Sequence, residues 1–228
     1  MIKIEETQVF GWEGAIRGMR NPKNSWDRSD SIFGCSKNFN KDCLNPNEYL
    51  LCENCPRMFI GPNDHELMMK LAKGGPVHAK YRRQIFISVD ITAPLYWWKE
   101  FDTYKVGTTA NSCSTMHKIH AKEFTLDDFS HEHLNSYNRN LLLWVINNLN
   151  NSRTKYNATK DKEEWLQMVQ MLPSSYNQKR TVTMTYEVLV GMWRDRRNHK
   201  LAEWHVLCDW IESLPYSEII TLKEKTNG

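Results

Sequence analysis

Four cysteines, Cys35, Cys43, Cys52 and Cys55, stand in the pattern C-x7-C-x8-C-x2-C. A Cys-x2-Cys knuckle with two nearby thiols can close a tetrahedral zinc site, and the ion would staple a stretch with little core of its own. The spacing is looser than a paired-knuckle signature, so separate thiols in a reducing compartment are the other reading. His117 and His120 of "HKIH", with His131 and His133 of "HEH", permit metal ligation without demanding it. With no obvious acidic or thiol partner beside them, they read as surface histidines. The basic run "RDRRNHK", Arg194 to Lys200, is either a solvated turn or a place where planar guanidinium forks meet phosphate or uracil.

A fourth candidate is the stretch "PLYWWKEFDTYKVGTTANSCSTMH", Pro94 to His117. An aromatic-rich amphipathic helix, Pro94 to Val106, leads into a polar loop over residues 104–117. Thr108, Thr109, Asn111, Ser112 and Ser114 would offer neutral donors at a helix end, where backbone N–H groups are also free. The plain alternative is a polar connection over the surface.

The elements that would position these groups are legible as periodicity. "MIKIEETQVF" reads as a strand and "GWEGAIRGMRNP" as a short helix stopped by Asn-Pro. A long irregular stretch from Asn21 to Cys55 follows. "DHELMMKLAKGG" is a helix, with Asp64 able to accept at its N-terminus and Gly74 able to take the left-handed position after it. In "RRQIFISVDIT", Ile85, Ile87, Val89 and Ile91 alternate, which marks a strand. "HEHLNSYNRNLLLWVINNLNN", "KDKEEWLQMVQML" and "LAEWHVLCDWIESL" read as helices, and "RTVTMTYEVLVGMW" as strand or helix. The mixture is α+β with helix dominant. The expected organisation is a strand and helix over 1–20, a cysteine-containing insertion over 21–60 and a main domain over 61–228.

The 228 residues suffice for a real core, and 40% hydrophobic with 25% charged residues is ordinary for a globular chain. A formal charge of +3 does not imply a nucleic-acid partner. Nine Trp and nine Tyr supply flat surfaces for a core or a ring-shaped ligand. No run has the length of a membrane span, and the N-terminus lacks a signal-peptide pattern, so a cytoplasmic protein is expected.

In order, these pieces resemble the flavin-dependent thymidylate synthases. "DHELMMKLAKGGPVHAKYRRQIFISVDITAPLYWWKE" is similar to that family's helix, Gly-Pro turn, histidine (His78), strand and Ala-Pro-aromatic segment, with Lys99 and Glu100 on its Arg-Gln pair. The fingerprint R-H-R-x-x-S-x-N-E-x-S-x-R-Y is altered. With one inserted residue, Asn111 and Ser114 fall on its Asn and second Ser. Thr103, Tyr104 and Lys105 replace its first three residues, while Met116 and His117 replace its closing Arg-Tyr. "MLPSSYNQKRTVTMTYEVLVGMWRDRRNHKLAEWHVL" follows the C-terminal course, with Arg180 near the loop arginine and Arg197 on the arginine that contacts the base. Glu203 stands for a Gln and His205 for a Glu.

The resemblance covers about Asp64 to Ile211. It implies FAD and dUMP held at the interfaces of a homotetramer, with a folate as one-carbon donor. It assigns Arg197, Arg180, Asn111, Ser112 and Ser114 to the nucleotide, and His78, Lys99 and Lys105 to the cofactor. The expected function is a divergent enzyme of this type, a flavin-dependent nucleotide methyltransferase acting on a pyrimidine deoxynucleotide. The alternative is a non-catalytic nucleotide-binding or interaction protein on the same scaffold.

Overall fold

In the computed structural model, which describes residues 2–34 and 58–223, the alternation at Ile85, Ile87, Val89 and Ile91 sets those side chains on one buried face. The elements are β1 (Lys3–Phe10), α1 (Trp12–Arg20), β2 (Ile32–Phe33), β3 (Met58–Phe59), α2 (Pro62–Lys73), β4 (Phe86–Pro94), α3 (Leu95–Phe101) and β5 (Thr108–Ser112). They continue with α4 (Ser136–Thr159), α5 (Lys162–Met171), β6 (Asn177–Thr185), α6 (Tyr186–Arg196), α7 (Ala202–Ser213) and α8 (Glu218–Thr221). This is the α+β architecture that the periodicity implies.

A four-stranded antiparallel sheet has the order β1-β4-β6-β5. Its buried face, with Ile87, Val89, Ile91, Val182 and Met184, packs in one core with Trp12 and Ile16 of α1, Trp97 and Trp98 of α3, Leu189 of α6 and Trp204 of α7. The opposite face is polar: Thr181 Oγ1 donates to Asp90 Oδ1 at 2.6 Å and Lys179 Nζ lies 2.8 Å from Asp90 Oδ2. β1 and α1 therefore belong to the same sheet and core as the elements after residue 61. A second cluster, including Phe124, Phe129, Leu142, Ile146, Leu149 and Met168, lies under the α4–α5 pair.

The structure resolves one reading that the sequence leaves open and departs from the sequence reading in three places. Residues 177–196 are strand and then helix: β-branched Thr181, Val182, Thr183 and Thr185 pair in β6, and the helix formers after Tyr186 make α6. The aromatic helix ends at Phe101, short of Val106, and Pro94 is its N-cap as well as the last residue of β4. Thr108 to Ser112 is an edge strand on β6 rather than loop, because its two threonines suit a strand and its polar side chains suit an exposed edge. Finally, Gly61 caps α2 and Gly75, at φ +89°, takes the left-handed position, while Gly74 stays helical at φ −74°.

Asp64 is thereby freed from capping and sits inside α2, fully buried. Arg20 Nε donates to its Oδ1 at 2.6 Å, and Ser29 Oγ, Ser31 Oγ, Ser31 N and Asp30 N donate to its Oδ2 at 2.8, 2.7, 3.0 and 3.1 Å. Asp30 takes over the cap, accepting from Asn63 N and Asp64 N at 2.9 and 3.1 Å. Only glycine fits at 61, where a Cβ would lie 2.2 Å from Asp30 Cγ. Burial pushes the Asp64 pKa up, but the Ser31 and Ser29 hydroxyls and the Arg20 guanidinium outweigh it and hold the carboxyl below its ordinary value.

Asp64→Ala would leave Arg20 buried without a counter-charge, and urea denaturation is expected to show a loss of about 3–5 kcal/mol. The folded pKa lies below the unfolded one, so this stabilisation is complete above about pH 4 and is lost as pH falls through the folded value. Asp64→Asn is expected to be less stable at neutral pH and to lack that acid-dependent loss.

Candidate functional site

α3 begins where β4 stops, and its first free N–H groups are satisfied by the segment entering β6. Leu95 N donates to Tyr176 O and Tyr96 N to Ser174 O, both at 3.0 Å. Trp97, Trp98 and Phe101 bury one stripe of this short helix. Trp97 lies 4.8 Å from Trp204 of α7 and 5.1 Å from Phe101, and Tyr104 closes the edge 6.1 Å from Trp204. The product is an aromatic bed between α3 and α7.

Two arginines lie on this bed. Arg180 of β6 sits 4.1 Å above the Trp98 ring, and Arg196, the last residue of α6, sits 4.6 Å above Trp204. Stacking a guanidinium on tryptophan leaves its in-plane donors directed outward. Here those donors meet carboxylates of the same chain. Arg180 Nη1 donates to Asp102 Oδ1 at 2.7 Å and its Nε to Gln178 Oε1 at 2.9 Å. Arg196 Nη1 donates to Glu100 Oε2 at 2.9 Å and its Nε to the Tyr104 hydroxyl at 2.9 Å. Glu100 Oε2 also accepts from Trp204 Nε1 at 3.0 Å and lies 3.3 Å from His199 Nε2. Nearby, the Tyr96 hydroxyl donates to Glu203 Oε1; burial and that carboxylate raise the phenol pKa, keeping the proton on Tyr96.

Beside the bed opens a cavity of about 290 Å³, bounded by Phe101, Asp102, Tyr104, Lys105, Thr108 and Ala110. That is near the lower limit for small-molecule sites. Gly107, at φ +77°, makes the left-handed turn that brings β5 to this edge. Thr108 Oγ1 is buried there with no partner among the described residues.

The residues singled out from the sequence divide between places. Ser112 stands opposite Arg180 in the β5–β6 register and shares the face of Thr108 and Ala110. Asn111 stands opposite Thr181, on the polar face. Ser114 Oγ accepts from Met116 N and His117 N at 3.1 and 2.8 Å, closing its own turn. Arg197 leaves α6 in another direction, lying 4.5 Å over Trp193 and bordering a separate cavity of about 420 Å³ with His205, Cys208, Asp209, Glu212 and Lys223. Lys105 borders the cavity beside the bed; Lys99 is exposed on α3 and His78 is exposed between α2 and β4.

Arg196, Glu100, Tyr104 and Trp204 were not among the residues assigned from sequence, although Arg196 lies in the basic run and Glu100 on the expected Arg-Gln pair. The helix phase that turns Arg196 toward α3 and Arg197 away from it was the missing information. The four-cysteine zinc proposal, Cys35, Cys43, Cys52 and Cys55, lies outside the described residues. Among the described residues no group of three or more His, Cys, Asp or Glu could hold a metal ion, and no helix is long and apolar enough to cross a membrane.

No family model matches this chain, and no curated protein matches it. Solved structures do match. Thymidylate synthase X from Helicobacter pylori, crystallised with FAD and dUMP, superposes with a TM-score of 0.62 at 15% identity over 96% of each chain. A second structure of flavin-dependent thymidylate synthase ThyX from Helicobacter pylori, complexed with FAD and dUMP, gives 0.61 at 14% identity over 94% of this chain and 96% of that one. The chain therefore has the thymidylate synthase X fold.

A flavin dinucleotide requires cationic donors for its pyrophosphate. In this chain the arginines on the bed are bound to Asp102 and Glu100. Of His78, Lys99 and Lys105, which lie on separate stretches, Lys105 alone borders the cavity. At this cavity one chain supplies Lys105 as the bordering cation, beside two arginines that are paired with carboxylates.

Thr108→Val removes a buried hydroxyl that has no partner while nearly keeping its shape. Thermal and urea unfolding are expected to show unchanged stability or a gain of up to about 1 kcal/mol. A clear loss would mean that the hydroxyl is bonded in solution.

Proposed function

We propose that the chain is a thymidylate synthase-like protein that binds a pyrimidine deoxynucleotide such as dUMP in the cavity beside the aromatic bed, against Tyr104. The observation that carries this reading is the pair of arginines laid on Trp98 and Trp204 beside a cavity, each joined to a carboxylate, in a fold whose crystallised neighbours hold FAD and dUMP. A uracil edge alternates acceptor, donor, acceptor. An arginine can donate to its carbonyl oxygens, and Glu100 or Asp102 can accept from its ring N–H. Thr108 and Ser112 supply hydroxyls for the sugar, and Lys105 is a cation that borders the cavity.

The neutralised arginines favour a second reading on the same scaffold, a nucleotide-binding protein without flavin chemistry. Purification separates the two. An active flavin enzyme would emerge yellow, with a flavin absorption band that deepens on adding FAD. The binding protein is expected to be colourless and to bind dUMP saturably by calorimetry. Arg196→Ala is expected to weaken that binding by roughly tenfold, about 1.4 kcal/mol. Absence of binding at millimolar dUMP, in protein shown to be folded by circular dichroism, would overturn both readings.

A further inference from the structure

We infer that Glu100 and Asp102 set the charge class of the ligand. By occupying Arg196 and Arg180, they make the site take the ring and sugar of a pyrimidine nucleoside with little contribution from a 5′-phosphate. This rests on the pyrimidine-site reading above and narrows it to ligands whose phosphate is dispensable.

Phosphate recognition needs guanidinium donors that are free to form charge-assisted, bidentate bonds. On the bed each arginine already has a carboxylate against its charge and part of its donor fork in use. Arg196 Nη1 and Nε are bound to Glu100 and Tyr104, and Arg180 Nη1 and Nε to Asp102 and Gln178. Releasing Arg196 also disturbs Trp204 Nε1 and His199, which meet the same Glu100 oxygen. A phosphate taking Arg196 would then lie beside the displaced Glu100 carboxylate, of its own sign.

The cavity gives no net attraction in compensation, since the charged side chains that border it are Asp102 and Lys105, one of each sign. The separate cavity beside Arg197 is likewise lined by both signs of charge. There Lys223 is 2.6 Å from Glu212, and Asp209 faces the same space as Arg197. The Trp98 and Trp204 rings are buried and carry the guanidiniums on their faces, so the aromatic surface left to a ligand at the cavity is the partly exposed Tyr104, which the carboxylates leave in place.

The full chain is titrated calorimetrically with deoxyuridine and with dUMP, then repeated for Glu100→Gln and Asp102→Asn. Wild type is expected to bind the two ligands with dissociation constants within about threefold of each other, well under the tenfold step that a freed charged contact would give. Each substitution is expected to raise the preference for dUMP over deoxyuridine by roughly tenfold, whatever it does to both together. Asp102 is half exposed, so Asp102→Asn keeps the test decisive if Glu100→Gln fails to fold. A wild-type preference for dUMP of about tenfold or more overturns this inference alone. So does a preference left unchanged in a folded variant. Failure of wild type to bind either ligand overturns the pyrimidine-site reading itself, and this inference with it.

Discussion

β4 and β6 pair without a break from Phe86 opposite Thr185 to Pro94 opposite Asn177. Everything at the candidate site hangs from that register. It ends β4 where Pro94 can cap α3, and it brings the residues before β6 under the first turn of that helix. It also sets Gln178 O 2.9 Å from Trp98 Nε1, which locks the indole beneath Arg180. A slip of one residue would exchange the two faces of β6, sending Arg180 to the polar side and Thr181 toward the bed. The apolar residues of β6 make such a slip costly, because Val182 and Met184 would have to leave the core.

The same register decides what β5 can do. As the edge partner of β6 it has one ladder satisfied and one side open, and its side chains alternate between the cavity and the polar face. Thr108, Ala110 and Ser112 therefore act with α3, while Thr109 and Asn111 belong to the face of Asp90 and Lys179. The exit from β5 is held as well: Gln178 Nε2 donates to Cys113 O at 2.7 Å and Trp165 Nε1 to Met116 O at 2.9 Å. The α4–α5 cluster thus buttresses the segment that follows the edge strand, although it contributes no residue to the bed.

Two carboxylates illustrate how one kind of ion pair has different consequences at different depth. Asp64 is sealed, with donors on both oxygens from the 20–31 segment, and its pairing with Arg20 defines how that segment packs on α2. Glu100 is partly open, holds an arginine that also donates to Tyr104, and shares one oxygen among three donors. The buried pair is structural because neither charge can be left alone. The partly open pairs contribute less, because water screens them and can solvate either partner.

Local order was readable along the chain. Alternation at Ile85 to Ile91 marked β4, and the closely spaced Trp97, Trp98 and Phe101 marked a helix with one buried stripe. Such patterns follow from the repeat of the backbone itself. The order of helix, turn, strand and aromatic segment was enough to suggest the fold that the structural neighbours share. What the chain could not reveal by itself were facts that depend on a distant partner. Thr108 to Ser112 is a strand because β6 offers an edge. Asp64 is a buried acceptor rather than a cap because Arg20, Ser29 and Ser31 converge on it. Arg196 reaches α3 while Arg197 turns to Trp193, since the packing of α6 fixes the phase of its last turn. Residue type and spacing determined which elements form; tertiary packing decided which charges meet, because a carboxylate and a guanidinium far apart in sequence become partners only after the sheet has set their distance.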